Sequence, residues 1–258
     1  MELLYKNYLE TSTQFVVNSN TTTAINVIFR DTRFEYSSDN MADDTTTTTM
    51  RVNFDETVTV DRIAIVGHNL KKFRVYYDGV TANTFALTSG DTTASNYITN
   101  SSTSQYFRCT SVGITSLCID MYSTITPNQN KKIGYLVATE IRTDFNGRLP
   151  VAQSYKPIIR PKNVVHKMSD GGTRIQTLED KWTVQFSLDF VDTTTRDELK
   201  SIYDDHEEMI FCGFGTTTSW DEIIFPCVWD GDFEFYSFSD NAADAGFSGN
   251  IRLFESPV

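Results

Sequence analysis

Three histidines in 258 residues leave little material for acid–base or metal chemistry. The chain has no G-x-S-x-G, no glycine-rich phosphate loop and no H-E-x-x-H, so the common routes to an activated serine, a cradled phosphate or a zinc-bound water are missing. Four cysteines, Cys109, Cys118, Cys212 and Cys227, have eight and fourteen residues between the members of each near pair, and no C-x-x-C occurs. One turn therefore does not supply two thiolates to a metal, and reduced, partly buried thiols are expected. Basic charge is also short: the net charge is -12, against the Lys and Arg surplus that binding nucleic-acid phosphates requires. No stretch approaches about 18 apolar residues in a row, and MELLYKNYLETSTQF lacks a basic start, an apolar core and a small-residue cleavage site. Neither membrane insertion nor a secretory leader is expected, nor any cofactor.

What is abundant is the material of strands and turns. Thr, Asn, Asp and Ser are plentiful and aromatics reach 13%, with 13 Gly and 6 Pro. The length suffices for one large or two ordinary domains. From Met50, Val52 and Phe54 alternate with polar neighbours, and Val58, Val60, Ile63 and Ile65 mark a largely buried strand. FRVYYDG, residues 73–79, alternates and stops at Asp78-Gly79, a turn signal. Further strands are expected at 106–112, 116–123 and 133–143, a spacing that points to a β-sandwich. The five threonines Thr45 to Thr49 are read as a loop feeding a strand.

Residues 144–162 carry Asn146-Gly147 and three of the six prolines, which disfavour regular pairing and mark a domain boundary. Residues 1–150 hold 13 Lys+Arg against 15 Asp+Glu, and residues 151–258 hold 9 against 19, so the acidity is concentrated after the boundary. Beyond it, Gly171-Gly172 suits a hairpin turn, and Trp182, Val184, Phe186, Leu188 and Phe190 share one strand face. Leu199, Ile202, Tyr203 and His206 then fall at i, i+3, i+4 and i+7, with Thr195 and Glu198 as a capping box, predicting one helix near 195–209. Aromatic strands follow around the turn Asp230-Gly231, giving a small antiparallel barrel or sandwich with a covering helix.

Few residues are candidates for chemistry. His68 lies between Gly67 and Asn69 at the end of an apolar run, where a catalytic group could sit; with no nucleophile or orienting acid beside it, Gly67, His68 and Asn69 are read as a structural turn that pins a loop. His206 and its acidic neighbours diverge around a helix, and Asp230 and Asp232 flank a turn. Neither set predicts an active site, and the chain is expected not to be an enzyme.

RFEYSSDN (33–40), MRVNFDETVTVDRIAIVGHNLKKFRVYYDG and ITSLCIDMYSTITPNQNKKIGYLVATEI, with the tetrad Gly67-His68-Asn69-Leu70, resemble the galactose-binding-like, discoidin-type β-sandwich found in bacteriophage tail and virion proteins. KWTVQFSLDF, the helix with E-L-K-S-I-Y, IFCGFG, FPCVWDGDFEFY and the final I-R-L-F-E are similar in element order to the one-helix β-barrel of phage tail tube and distal tail proteins. The resemblances imply a mainly β chain: a galactose-binding-like sandwich over 1–147, with an extension at 1–20, followed by a distal-tail-like barrel over 148–258. They further imply a structural tail component, made in the host cytoplasm and resident in the virion. Its expected partners are copies of itself in a ring and tube, hub or baseplate proteins, without sequence-specific nucleic-acid binding. The alternative is a carbohydrate-binding module or receptor-binding protein for host surface glycan, with Tyr97 and Tyr106 as candidate exposed contacts.

Overall fold

The computed structural model describes residues 1–11, 14–30, 34–39, 43–86, 97–99, 101–145, 156–168, 172–213, 224–237 and 246–256. In chain order the strands are β1 (Glu2–Leu4), β2 (Gln14–Val17), β3 (Tyr36–Ser37), β4 (Thr48–Val66), β5 (Leu70–Tyr77), β6 (Tyr97–Thr99), β7 (Ser104–Thr124), β8 (Lys132–Ile133), β9 (Tyr135–Thr139) and β10 (Ile141–Asp144). β11 (Lys156–Lys167) and β12 (Thr173–Val191) follow, then the helix α1 (Thr193–Asp205) and β13 (Met209–Cys212), β14 (Ile224–Trp229), β15 (Glu234–Ser237) and β16 (Phe247–Glu255). The chain is mainly β, as its composition implies. It divides into two compact units, one of Met1–Thr143 with Ile210–Ile224, the other of Asp144–Met209 with Phe225–Pro257. The Asn146-Gly147 pair of the expected domain boundary and the first residue of the Gly171-Gly172 pair lie outside the described residues.

The first unit is organised by two long antiparallel strands. β4 and β7 pair along most of their lengths, but the register slips between Asn53 and Val58 and again between Val60 and Arg62. Each slip bends the ladder, so one pair of strands serves two faces of a sandwich. The early half of β4 pairs with β2, and the late half of β7 pairs with β5, which carries β6. Past the bend, β4 pairs instead with β9. The slip also changes which residues point inward: Met50, Val52 and Val60 face the core before it, Ile63 and Ile65 after it. These side chains pack with Phe73, Phe107, Leu117, Ile119 and Leu136, and the 3-10 helix Thr21–Ile28 adds Ala24, Val27 and Ile28. Each aliphatic side chain so buried contributes about 1.5–3 kcal/mol.

The far face of β4 and β9 is buried as well. Ala64, Tyr135 and Val137 pack against Leu4, Ile210, Cys212 and Ile224. β1 and β13 supply this cover by pairing Glu2 with Cys212, Leu3 with Phe211 and Leu4 with Ile210. Ile210–Cys212 and Ile224, assigned to the second domain by the sequence reading, thus cluster with the first unit.

In the second unit β16 is the central strand. It pairs with β12 on one side and with β15 and then β14 on the other, and β12 carries β11. The expected barrel does not close: among the described residues β11 ends the ladder. Pro157 and Pro161 in β11 lack the N–H that a further strand needs, and the register breaks between Pro161 and Asn163. Gly249 on β16 is constrained by close approach, because a Cβ there would lie 2.6 Å from the Phe235 ring and from the Glu234 carbonyl.

α1 begins earlier than its expected capping box. Asp192 is the cap, its carboxylate accepting from the Thr195 N–H at 2.7 Å, while Thr195 is buried inside the first turn. The helix ends where His206 adopts a left-handed conformation, φ 51. Leu199 and Ile202 are buried, as their spacing implies.

Candidate functional site

The turn after β4 is held by backbone and side-chain bonds at His68 and Asn69. Gly67 has φ +67 and lies against Gly134, whose Cα would be 3.6 Å from an added Cβ. The contact itself leaves room for a Cβ, and it is the positive dihedral that favours glycine here. His68 is buried; its N–H donates to Thr103 O at 2.9 Å and its Nδ1 accepts from the Leu70 N–H at 3.1 Å. That acceptor role requires the neutral ring, and burial pushes the imidazole down to about 4. The ring meets Phe73 edge-on at 5.4 Å. Asn69 clamps the neighbouring loop, donating to Asn130 O at 2.7 Å and accepting from the Lys132 N–H at 2.9 Å. Among the described residues no nucleophile or carboxylate bonds His68, and the turn's geometry is that of a loop anchor.

Beside it, Lys131 is a buried cation. Its ammonium donates to Asp43 O and Thr46 O, each at 2.9 Å, and burial lowers its pKa. The threonine-rich segment is fixed from the other side by Asp44 Oδ1, which accepts from the Thr124 N–H and hydroxyl at 3.1 Å each. Thr48 and Thr49 belong to β4 itself.

A third cluster lies on the far face of the sandwich. Glu2 is buried, with Arg62 Nε 2.8 Å from Oε2 and Arg108 Nε 2.9 Å from Oε1. The Tyr106 hydroxyl also donates to Glu2 Oε2. Tyr106, a candidate glycan contact, is therefore not an exposed loop aromatic: it sits in β7, half-buried, with its hydroxyl engaged and its pKa raised by burial. Asp61 completes the group, accepting from the Ile141 N–H at 2.8 Å.

The most extensive polar constellation at the sandwich surface was not foreseen. The side chains of β4, β5 and β7 that point away from the main core bring Thr49, Lys72, Arg74, Tyr76, Asp120 and Tyr122 together. Asp120 accepts from Thr49 Oγ1 at 2.8 Å and Tyr76 at 3.2 Å on one oxygen, and from Arg74 Nη2 at 2.5 Å and Tyr122 at 3.2 Å on the other. The Arg74 guanidinium lies 5.1 Å from the Tyr76 ring centroid, and the Lys72 ammonium 5.8 Å from that of Tyr122. Burial and the Asp120 charge raise Tyr76 to about 12, so it stays a donor. Tyr76 is buried, Arg74 and Tyr122 are half-buried and Lys72 is exposed. Tyr97, the other candidate contact, pairs its backbone with Arg74 from β6, and its side chain lies outside the described residues. The signal in the sequence was the alternating set Lys72, Arg74, Tyr76 in one strand and Asp120, Tyr122 in another; register across strands was needed to join them.

The remaining candidates do not converge. His206 is the exposed C-cap of α1, and His166 is exposed on β11. Asp230 is paired with Arg252 at 2.9 Å beside Gly231, φ 93. The four cysteines are buried and unbridged, and burial raises the Cys109 thiol to about 12. Among the described residues no group of three or more His, Cys, Asp or Glu is placed to hold a metal ion, and no helix is long and apolar enough to cross a membrane.

No family model and no curated protein matches the chain. Among solved structures, it is similar to chitosan-binding module 1 of a chitosanase/glucanase from Paenibacillus sp. IK-5, at 12% identity over 52% of this chain and 98% of that one, TM-score 0.37. It is also similar to CpGH89CBM32-6 of Clostridium perfringens, at 13% identity over 52% of this chain and 99% of that one, TM-score 0.37. A third likeness is to the CBM32-1, CBM32-2 and M60 catalytic domains of Clostridium perfringens ZmpB, at 14% identity over 58% of this chain and 16% of that one, TM-score 0.40. At these TM-scores the likenesses carry no argument for what this chain binds or does.

Proposed function

We propose that the chain is a non-catalytic recognition protein whose sandwich binds a surface carbohydrate. The observation that supports this reading is the outward cluster around Asp120. Sugars are recognised by polar groups held rigidly enough to meet paired hydroxyls, next to an aromatic ring that takes the C–H face. Here Asp120 is held by Arg74 and by three hydroxyls and in turn fixes the guanidinium, and the Tyr122 ring and the Lys72 ammonium border them. The test is a glycan array followed by calorimetry on the ligands it finds. Removing one charged hydrogen-bonding group costs about 1.5–3 kcal/mol, so Arg74→Ala should weaken binding at least about tenfold. Tyr122→Ala should weaken it as well. Absence of any glycan signal, or signal indifferent to both variants, overturns the reading.

A second reading is favoured by a different observation. Residues 163–167 and 173–177 pair only with each other among the described residues, because β16 joins β12 no earlier than Thr183. A two-stranded ribbon alone is marginally stable, and its free edge is a template for another chain. With the resemblance to tail proteins, this supports a structural component of a phage tail, resident in the virion, that assembles into a ring and contacts other tail proteins. Negative-stain microscopy and light scattering test it: rings or discrete oligomers should form, and shortening the ribbon to an Asn-Gly turn should leave monomers. A wild-type monomer at every concentration counts against this reading without touching the first.

A further inference from the structure

The second unit carries an aromatic surface that neither reading uses. Tyr203, in the last turn of α1, meets Trp229 at 5.7 Å and Phe233 at 5.6 Å between ring centroids. Trp229 and Phe233 are 5.9 Å apart, and Phe233 stacks on Phe235 at 4.8 Å. All four rings are half-exposed, and Tyr236 beyond them is 65% exposed. Trp229 Nε1 is buried with no acceptor among the described residues, so folding leaves the patch with an unmet donor.

The rim is mostly acidic. Asp204, Asp205 and Glu207 leave the end of α1, and Asp232 and Glu234 flank Phe233; all five are exposed. Asp204 is paired with Lys200 at 2.5 Å and Asp230 with Arg252 at 2.9 Å. A core of Trp, Tyr and Phe inside a charged rim is the anatomy of a protein-binding hot spot. A sugar platform would offer one open ring face, whereas here Tyr203 and Trp229 meet at 78° and Trp229 and Phe233 at 40°. A like surface on a second copy would bring acid against acid, in a chain whose net charge is already -12.

We propose that this patch, at the end of α1 and around the β14–β15 turn, is a docking surface for a polypeptide partner presenting arginine and lysine, whose guanidinium groups stack on the rings and pair with the rim. Arginine suits both tasks, because its flat cation packs on aromatic faces and bonds carboxylates in a fork.

The probe is a fluorescein-labelled nona-arginine peptide, titrated into the full chain and read by anisotropy and by the Trp229 indole N–H resonance. Binding should weaken at least about fivefold in Phe233→Ala and in the double variant Asp232→Lys, Glu234→Lys, and fall steeply with salt. Reversal of an exposed acid elsewhere, Glu10→Lys or Asp197→Lys, should change it less than about twofold. Should Phe233→Ala fail to fold, the charge variant carries the test alone. Equal weakening by every charge reversal reduces the effect to net charge and overturns the proposal. So does the absence of peptide binding, binding of glucosamine oligomers in its place, or self-association that the double variant abolishes.

Discussion

The two units differ in how they treat most of their charged and aromatic side chains. The first unit encloses its charges: Glu2, Lys131 and Asp120 are buried, and each is met by partners from distant strands or loops. The second leaves large rings outside, with Phe190 77% exposed at φ 58 and Tyr236 65% exposed, and carries most of the acidic excess. A buried charge is stable only while its partners are present, so the first unit should be brittle to single polar substitutions. A half-exposed ring is already largely solvated, so the second should lose interaction with partners before it loses stability.

The contrast is broken most severely at Glu2. Glu2→Ala leaves Arg62 and Arg108 facing each other over a vacated carboxylate, and chemical denaturation should report a loss of about 3–5 kcal/mol. Acid is the next lever. His68 is held neutral, with a folded pKa of about 4 against the ordinary 6.5. The unfolded chain takes up a proton below 6.5 that the folded chain refuses until about 4, so stability falls as pH is lowered through that window, by roughly 3 kcal/mol from this residue. His68→Asn, which keeps an acceptor near the Leu70 N–H, should flatten that part of the stability-versus-pH curve; an unchanged slope would mean that other groups dominate it. Lys131→Met keeps the stem but deprives the Asp43 and Thr46 carbonyls of their donor, at about 2–3 kcal/mol, with faster amide exchange over residues 43–49. Smallest of all, Tyr236→Ala in the second unit should leave the melting temperature unchanged within error, and a shift comparable to that of Lys131→Met would erase the contrast.

The strands were legible where burial is one-sided. Alternation at Phe73, Val75 and Tyr77 and the turn at Asp78-Gly79, both with positive φ, stand where the residues imply. The bends were not legible. The segments around 52–54 and 58–65 are one strand, and those at 106–112 and 116–123 are another, because Gly113 lies inside β7 and not in a turn. A bulge changes the parity of inward residues without any local mark, so a continuous bent strand looks like two. The helix pattern was read correctly on Leu199 and Ile202, yet the cap was misplaced, since Asp192 and Thr195 both fit the chemistry of a helix start and only the backbone separates them. The ionic clusters join residues as distant as Glu2 and Tyr106, and no spacing rule reaches across 104 positions.

The late return of β13 to the first unit sets an order of events during synthesis. By the time residue 143 has left the ribosome, almost every strand of the sandwich exists, but the apolar surface of Ala64, Tyr135 and Val137 must wait until Ile210 and Cys212 emerge. A gene fragment stopping at residue 147 would make a body with one flank undressed, and it should aggregate on expression, while co-expressing the missing strand in trans should return it to the soluble fraction.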